Sequence, residues 1–465
     1  MMARASRTTA LLALILVVLD AGATSSSPAA ASRELHARER SVEWTGRPDD
    51  PSAAASNTAS LNAALDEIRA GGTLVIRDHT YWLAGGVRVA GLVNATLRLD
   101  GTLRFSVGRK GWPTEVCEHD ANKTCVQKAM LISDAVGLTL TSSSAGTVNG
   151  NGESWWGYLN YLKYAEDRPK LMTIQNATDV LVERWHFRQS AYHTFHADDV
   201  ARLEIRFCSV DNRVNADDSH SVANLEALNT DGFDVSGRDI YIHDSSVWNQ
   251  DDCFTIVPTT GSGINSQCTE NVLVEDVYAS GLGLTVGSIE ATTDHACIKN
   301  ITFRRAVMHH TFKGIYIKSG NRKNLDPTAT AEITNILYEN ITMEAPEQVP
   351  IWIGPAQEGD SDNACSLAWP MLDPWAKCPA PPGLVRFTNV TLRDVRVVDA
   401  KESPGLVFGN SSSPMEGVVF DGVVFEDADP KARPWGEDFY YCEGVNGVAT
   451  GGTSPVPPCF SEEGN

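Results

Sequence analysis

From about residue 180 the chain sets short apolar triplets between longer polar stretches: Val180-Leu181-Val182, Leu203-Glu204-Ile205, Ile240-Tyr241-Ile242, Val272-Leu273-Val274, Ile301-Thr302-Phe303, Ile336-Leu337-Tyr338, Val390-Thr391-Leu392 and Val418-Val419-Phe420. Their starts lie 23, 37, 32, 29, 35, 54 and 28 residues apart, a loose repeat whose variation falls in the polar connections. A repeat of this length marks a solenoid, in which each unit buries its apolar face only against its neighbours. The units are rich in Val, Ile, Thr and Phe and lack helical spacing. They are also too short and too far apart for tight hairpins, so they predict parallel strands coiling in one sense. Asn followed by a β-branched residue opens five strands, at Asn271, Asn300, Asn335, Asn340 and Asn389. Asn tolerates the left-handed conformation, and stacked Asn at one corner can hydrogen-bond up and down the stack. The expected fold is all-β, a single-stranded right-handed parallel β-helix.

Ahead of the coils the spacing changes. Leu61, Ala64, Leu65 and Ile68 fall on one helical stripe that Gly71-Gly72 ends. This helix is expected to cap the open end of the solenoid, whose edge would otherwise pair with another chain. Residues 24–55 are rich in Ala and Ser and read as a leader. Residues 1–23, with Arg4 and Arg7 before the apolar run Leu11–Leu19 and then Ala21-Gly22-Ala23, read as a secretory signal. The β-helix domain is expected over 56–430 and a bridged tail over 431–465.

With 465 residues and 42% hydrophobic, the chain can bury a large core. Its net charge of −21 argues against nucleic acid or an anionic membrane surface as partner, since both need clustered cations. The leading apolar run is too short to span a bilayer, and no later run of about 18 apolar residues follows it. Ten cysteines fit an oxidising compartment. Cys117 with Cys125, Cys365 with Cys378 and Cys442 with Cys459 are candidate local bridges, and Cys268 is the nearest partner for Cys253. Sequons starting at Asn94, Asn122, Asn176, Asn300, Asn340, Asn389 and Asn410 suit a glycosylated exported protein. The reading is a secreted, extracellular monomer.

Candidate chemistry lies in Asn229-Thr230-Asp231-Gly232 and Gln250-Asp251-Asp252-Cys253. Asp231 and Asp251 are about one coil apart, and neighbouring coils sit about 4.8 Å apart, so the carboxylates would converge on one face. Crowded carboxylates raise the pKa of at least one, leaving an acid beside ionised partners. Glycosidic cleavage needs this division: one group protonates the leaving oxygen while another activates water or attacks the sugar. Taken singly, Asn-Thr-Asp-Gly is ordinary turn chemistry, and clustered carboxylates can also hold calcium.

These two motifs resemble the acidic signatures of glycoside hydrolase family 28, the polygalacturonases and their relatives. The resemblance extends over about residues 56–425 through AGGTLVI after the helix, GTVNGNGESWW ending at Trp155-Trp156, RPKLM from Arg168, and SAYHTFH from Ser190 to His196. It implies a pectin lyase-like right-handed β-helix and inverting hydrolysis of α-glycosidic bonds in a pectin-like polysaccharide, without cofactor or metal. By position, Asp251 would be the general acid, Asp231 and Asp252 would activate water, and Asn229, Tyr316 and Lys318 would contact substrate.

Two positions depart from the family. Leu282 stands where Gly-His-Gly is usual, and Tyr316 where Arg-Ile-Lys is usual. Losing one charge-assisted contact to a sugar carboxylate costs about 1.5 to 3 kcal/mol, so the subsite is expected to favour a neutral or decorated sugar unless Arg322 or Lys323 folds back over it. His193 and His196 read as structural or subsite histidines rather than a zinc site, and Trp352 as core rather than a sugar platform. Two other readings stand beside the hydrolase: a calcium-dependent β-helix lyase and a non-catalytic carbohydrate-binding β-helix.

Overall fold

The computed structural model describes residues 40–117, 120–157, 159–160, 167–214, 226–259, 265, 267–291, 295–320, 328–358, 365–366, 369, 378–427 and 440–462. The chain divides into Met1–Arg38, which lies outside these residues together with the expected signal, and one continuous unit, Glu39–Asn465. Arg322 and Lys323 also lie outside.

The described strands run parallel in coil after coil, except for the antiparallel pair Thr114–Cys117 and Asp120–Val126. Three faces recur. On the first, Thr96, Thr139, Leu181, Glu204, Tyr241, Leu273, Thr302, Leu337, Thr391 and Val419 stand in one register. The apolar residues on either side of this row point inward, as a period of two requires. The coils are of the right-handed kind that parallel crossovers adopt. A third face carries the site. Its inward row includes Phe195, Phe233 and Phe254, whose rings follow each other at centroid spacings of 5.6 Å. Buried aromatics of this size dominate a core one coil wide.

The corners explain how the chain turns so often. Asn271, Asn300, Asn335 and Asn389 are all left-handed, with φ of 54° to 57°, and form one ladder. Each donates Nδ2 to the Oδ1 of the Asn before it, at 3.1 to 3.3 Å, and Asn271 donates to Asp239. Asn340 is left-handed too, but it stands at a different corner, in register with Arg305 and Asp394. The expected five-member stack therefore has four Asn members, because Asn340 follows Asn335 within one coil.

The helix Ala54–Glu67 buries Leu61, Ala64 and Leu65, and Ile68 just beyond its end is buried as well. Its polar side answers the edge beside it: Asn57 donates to the carbonyls of Arg47 and Trp82, Thr58 accepts from the Ala84 N–H, and Asn62 accepts from the Arg88 N–H. The cap thus satisfies backbone groups that an exposed edge would offer to another chain.

The solenoid runs past both expected boundaries. Ser41–Glu43 pairs with Gly72–Ile76, inside the expected leader. Tyr440–Glu443 and Val445–Thr450 pair with the preceding coils, inside the expected tail, because they carry the same alternating burial. Cys117–Cys125, Cys365–Cys378 and Cys442–Cys459 are bridged as expected. Cys268 instead bridges Cys297, since Thr269 and Ile298 are register partners, which leaves Cys253 free and buried. Among the described residues no helix is long and apolar enough to cross a membrane.

Candidate active site

Asp231 and Asp252 stand at the entry to successive strands of the third face, where Phe233 pairs with Phe254. A register shift between Asp252 and Phe254 lets Phe254 point into the core while Asp252 turns out, the usual effect of a bulge. The two motifs are stitched together by their polar residues. Asn249 Nδ2 donates to the carbonyls of Thr230 (3.0 Å) and Asp252 (2.7 Å), and Gln250 Oε1 accepts from the Ala227 N–H at 2.7 Å. The Gly232 N–H donates to the Asp252 carbonyl at 2.8 Å, and a side chain at 232 would run into the Cys253 carbonyl. Asn249, Gln250, Thr230 and Gly232 are thus scaffold residues that hold two coils in close contact.

The result brings the three predicted carboxylates together: the nearest oxygens of Asp231, Asp251 and Asp252 all lie within 4.8 Å of one another. Asp252 is 2% exposed, accepting from Thr285 Oγ1 on Oδ1 and from the Lys318 ammonium on Oδ2, each at 2.7 Å. Burial pulls the Lys318 ammonium down, but the adjacent Asp252 carboxylate more than reverses it and holds the proton firmly. Asp251 is the partly exposed member. It accepts from the Asn229 N–H at 3.0 Å and the Asp252 N–H at 2.9 Å, yet burial and the Asp252 charge push it up to about 6. Asp231 is also raised well above the ordinary carboxylate range, through burial and then repulsion from Asp251, Asp234 and Asp252. Three carboxylates this close cannot all ionise, so the group holds shared protons beside the Asp252–Lys318 pair.

The expected contact residues fare differently. Lys318 reaches the acids. Asn229 does too, through its N–H, but its side-chain oxygen is taken by Arg168 Nη2 at 2.8 Å. Tyr316 does not face the cleft: it is 1% exposed, and its hydroxyl accepts the Gln357 N–H at 2.8 Å. The reason is its row. On this face the outward positions run His196, Asp234, Thr255, Thr285, Tyr316, Trp352, Leu406, turning from polar to apolar just past the acids. Tyr316, Trp352, Leu406, Leu282, Phe312 and Trp369 form a second core outside the coil. Leu282 is buried in it, and Trp352 is core as expected.

Sequence reasoning gave no role to two buried cations here. Arg168 is buried, donates also to the Leu228 carbonyl, and sits 5.0 Å over the Tyr192 ring. Lys313 is fully buried; its ammonium donates to Gln348 Oε1 at 2.9 Å and lies within 5.2 Å of the Phe312, Tyr316 and Trp352 rings. Burial and the nearby Lys318 charge bring it down to about 7. Neither its place beside Phe312 nor its spacing marked it. His193 and His196 straddle Asp234, their Nδ1 atoms 2.9 and 3.9 Å from its Oδ2.

The family model described as "Glycosyl hydrolases family 28" matches residues 88–435. The chain belongs to this family. Among curated relatives, endopolygalacturonase D of Aspergillus niger is 30% identical over 44% of this chain and 39% of its own length. A probable endopolygalacturonase D of Emericella nidulans is 24% identical over 51% of this chain and 44% of its own. The chain thus spans about half the length of the curated relatives it matches. Among solved structures, endo-xylogalacturonan hydrolase from Aspergillus tubingensis aligns over 92% of this chain and all of its own at 17% identity, with a TM-score of 0.60, a likeness of fold.

Proposed function

We propose that this family 28 chain is a secreted glycoside hydrolase that cleaves α-glycosidic bonds of a pectin-type polysaccharide by single displacement. The observation that carries the reading is the convergence of three carboxylates in unequal surroundings. Asp251, partly exposed and proton-bearing up to about pH 6, is the acid that protonates the leaving oxygen. Asp252, paired with the Lys318 ammonium, takes the proton of the attacking water, and Asp231 holds that water in place. Tyr316 and Leu282 are turned into an apolar cluster away from the cleft, so neither offers a sugar carboxylate in the cleft a charged partner. This favours a neutral or decorated sugar there. A calcium-dependent lyase is disfavoured, because Ca²⁺ takes six to eight oxygens, whereas an ammonium already occupies Asp252.

The test is reducing-sugar release from polygalacturonate, rhamnogalacturonan and xylogalacturonan by wild type and Asp251→Asn, with and without EDTA. Release that survives EDTA, falls as pH rises through about 6 and is absent from the variant supports the reading. Silence on all three from folded protein, or activity retained by Asp251→Asn, overturns it.

A further inference from the structure

Asp231 is nine-tenths buried, and its Oδ1 meets no hydrogen-bond donor. A buried carboxylate oxygen left unpaired is costly and calls for an explanation. The group facing it is His193, whose Nε2 lies 3.8 Å from that oxygen. The imidazole is held from two directions, its other nitrogen 2.9 Å from Asp234 Oδ2 and its face stacked on Tyr192 at 4.1 Å, while the His193 backbone carbonyl accepts from the Leu171 N–H at 3.0 Å and from Ser190 Oγ at 3.1 Å. Tyr192 lies beneath the Arg168 guanidinium, which also holds Asn229 of the first acidic motif.

We propose that His193, oriented by Asp234 and Tyr192, is a positioning residue that holds the Asp231 carboxyl proton on Oδ1 and so leaves the other Asp231 oxygen to orient the attacking water beside Asp252. This rests on the hydrolase reading above. The Asp234 carboxylate beside Nδ1 favours the proton on that nitrogen, which leaves the Nε2 lone pair facing Asp231 Oδ1 as an acceptor. The charged and titratable groups around the ring are Asp231, Asp234, His196 and Lys170, with Arg168 beyond Tyr192. Burial brings His193 down to about 4, which keeps the imidazole neutral and its Nε2 an acceptor at mildly acidic pH.

The experiment compares wild type, His193→Asn and His193→Gln in kcat, KM and pH profile on the best pectic substrate, with thermal midpoints to show folding. The carboxyl carbon titration of Asp231 by NMR in wild type and His193→Asn runs alongside and needs no substrate. Expected is a kcat loss of about tenfold to a hundredfold at little change in KM, a displaced acid limb, and an Asp231 titration moved by about half a unit or more. Unchanged kcat and acid limb in a folded variant, or superimposable Asp231 titrations, overturns the proposal. If wild type turns over no pectic substrate the hydrolase reading fails, and the Asp231 titration still decides whether the two groups are coupled.

Discussion

Lys318 donates to Asp252 at 2.7 Å in a pair whose side chains are 13% and 3% exposed. A buried ion pair gains little over an apolar pair, but removing one partner strands the other charge. Lys318→Met leaves Asp252 in low dielectric beside two further carboxylates, so Asp252 takes up a proton and the water loses its anionic base. Turnover should fall at least about a hundredfold, and urea unfolding should register a loss of about 3–5 kcal/mol. Lys318→Arg should recover most of the stability.

Tyr316→Arg restores the residue type usual in the family, but not its surroundings. Leu282, Trp352 and Leu406 enclose the position, so the guanidinium would enter an apolar cluster. We expect a destabilisation of about 3 kcal/mol or more and no gain in affinity for oligogalacturonate, read by urea midpoint and calorimetric titration. A tighter-binding, equally stable variant would show that the cluster opens.

Lys313 gives the stability a pH dependence of definite sign. In the folded chain it sheds its proton near pH 7, whereas unfolded lysine keeps it to its ordinary value. Between the two the unfolded chain binds the extra proton, so this group penalises the fold fully below about pH 7 and less as pH rises. Lys313→Met removes the penalty but strips Gln348 Oε1 of its donor. Its stability relative to wild type should therefore be about 2 kcal/mol better at pH 5 than at pH 9, by urea denaturation at both.

Asn335 carries the ladder in both directions, donating to Asn300 and accepting from Asn389, at φ 56°. Asn335→Ala loses both bonds and keeps the left-handed strain, for an expected cost of about 1–3 kcal/mol. Asn335→Gly should lose less, since glycine adopts that conformation freely. A thermal-shift series of the two variants checks the order.

Much of the molecule was legible along the chain because a β-helix repeats one local problem. Each coil needs apolar residues at a period of two and a corner residue that accepts positive φ. Val272-Leu273-Val274 behind Asn271 meets both needs within a few residues. The three aspartates were legible for the same reason, since neighbouring coils bring equivalent positions side by side.

What the coils do to one another and to their connections was decided only in three dimensions. The partner of Cys268 is set by coil register, which places Cys297 beside it and leaves Cys253 alone. Tyr316 alternates outward like any cleft residue, and only the Trp352, Leu406 and Trp369 packed over its face bury it. His193 comes within 3.8 Å of Asp231 through strand pairing that no spacing between residues 193 and 231 announces. Periodic, short-range stereochemistry is written into each repeat of the sequence. The cover on the outer face and the charges around the acids come from connections without a period, and their placement follows from packing.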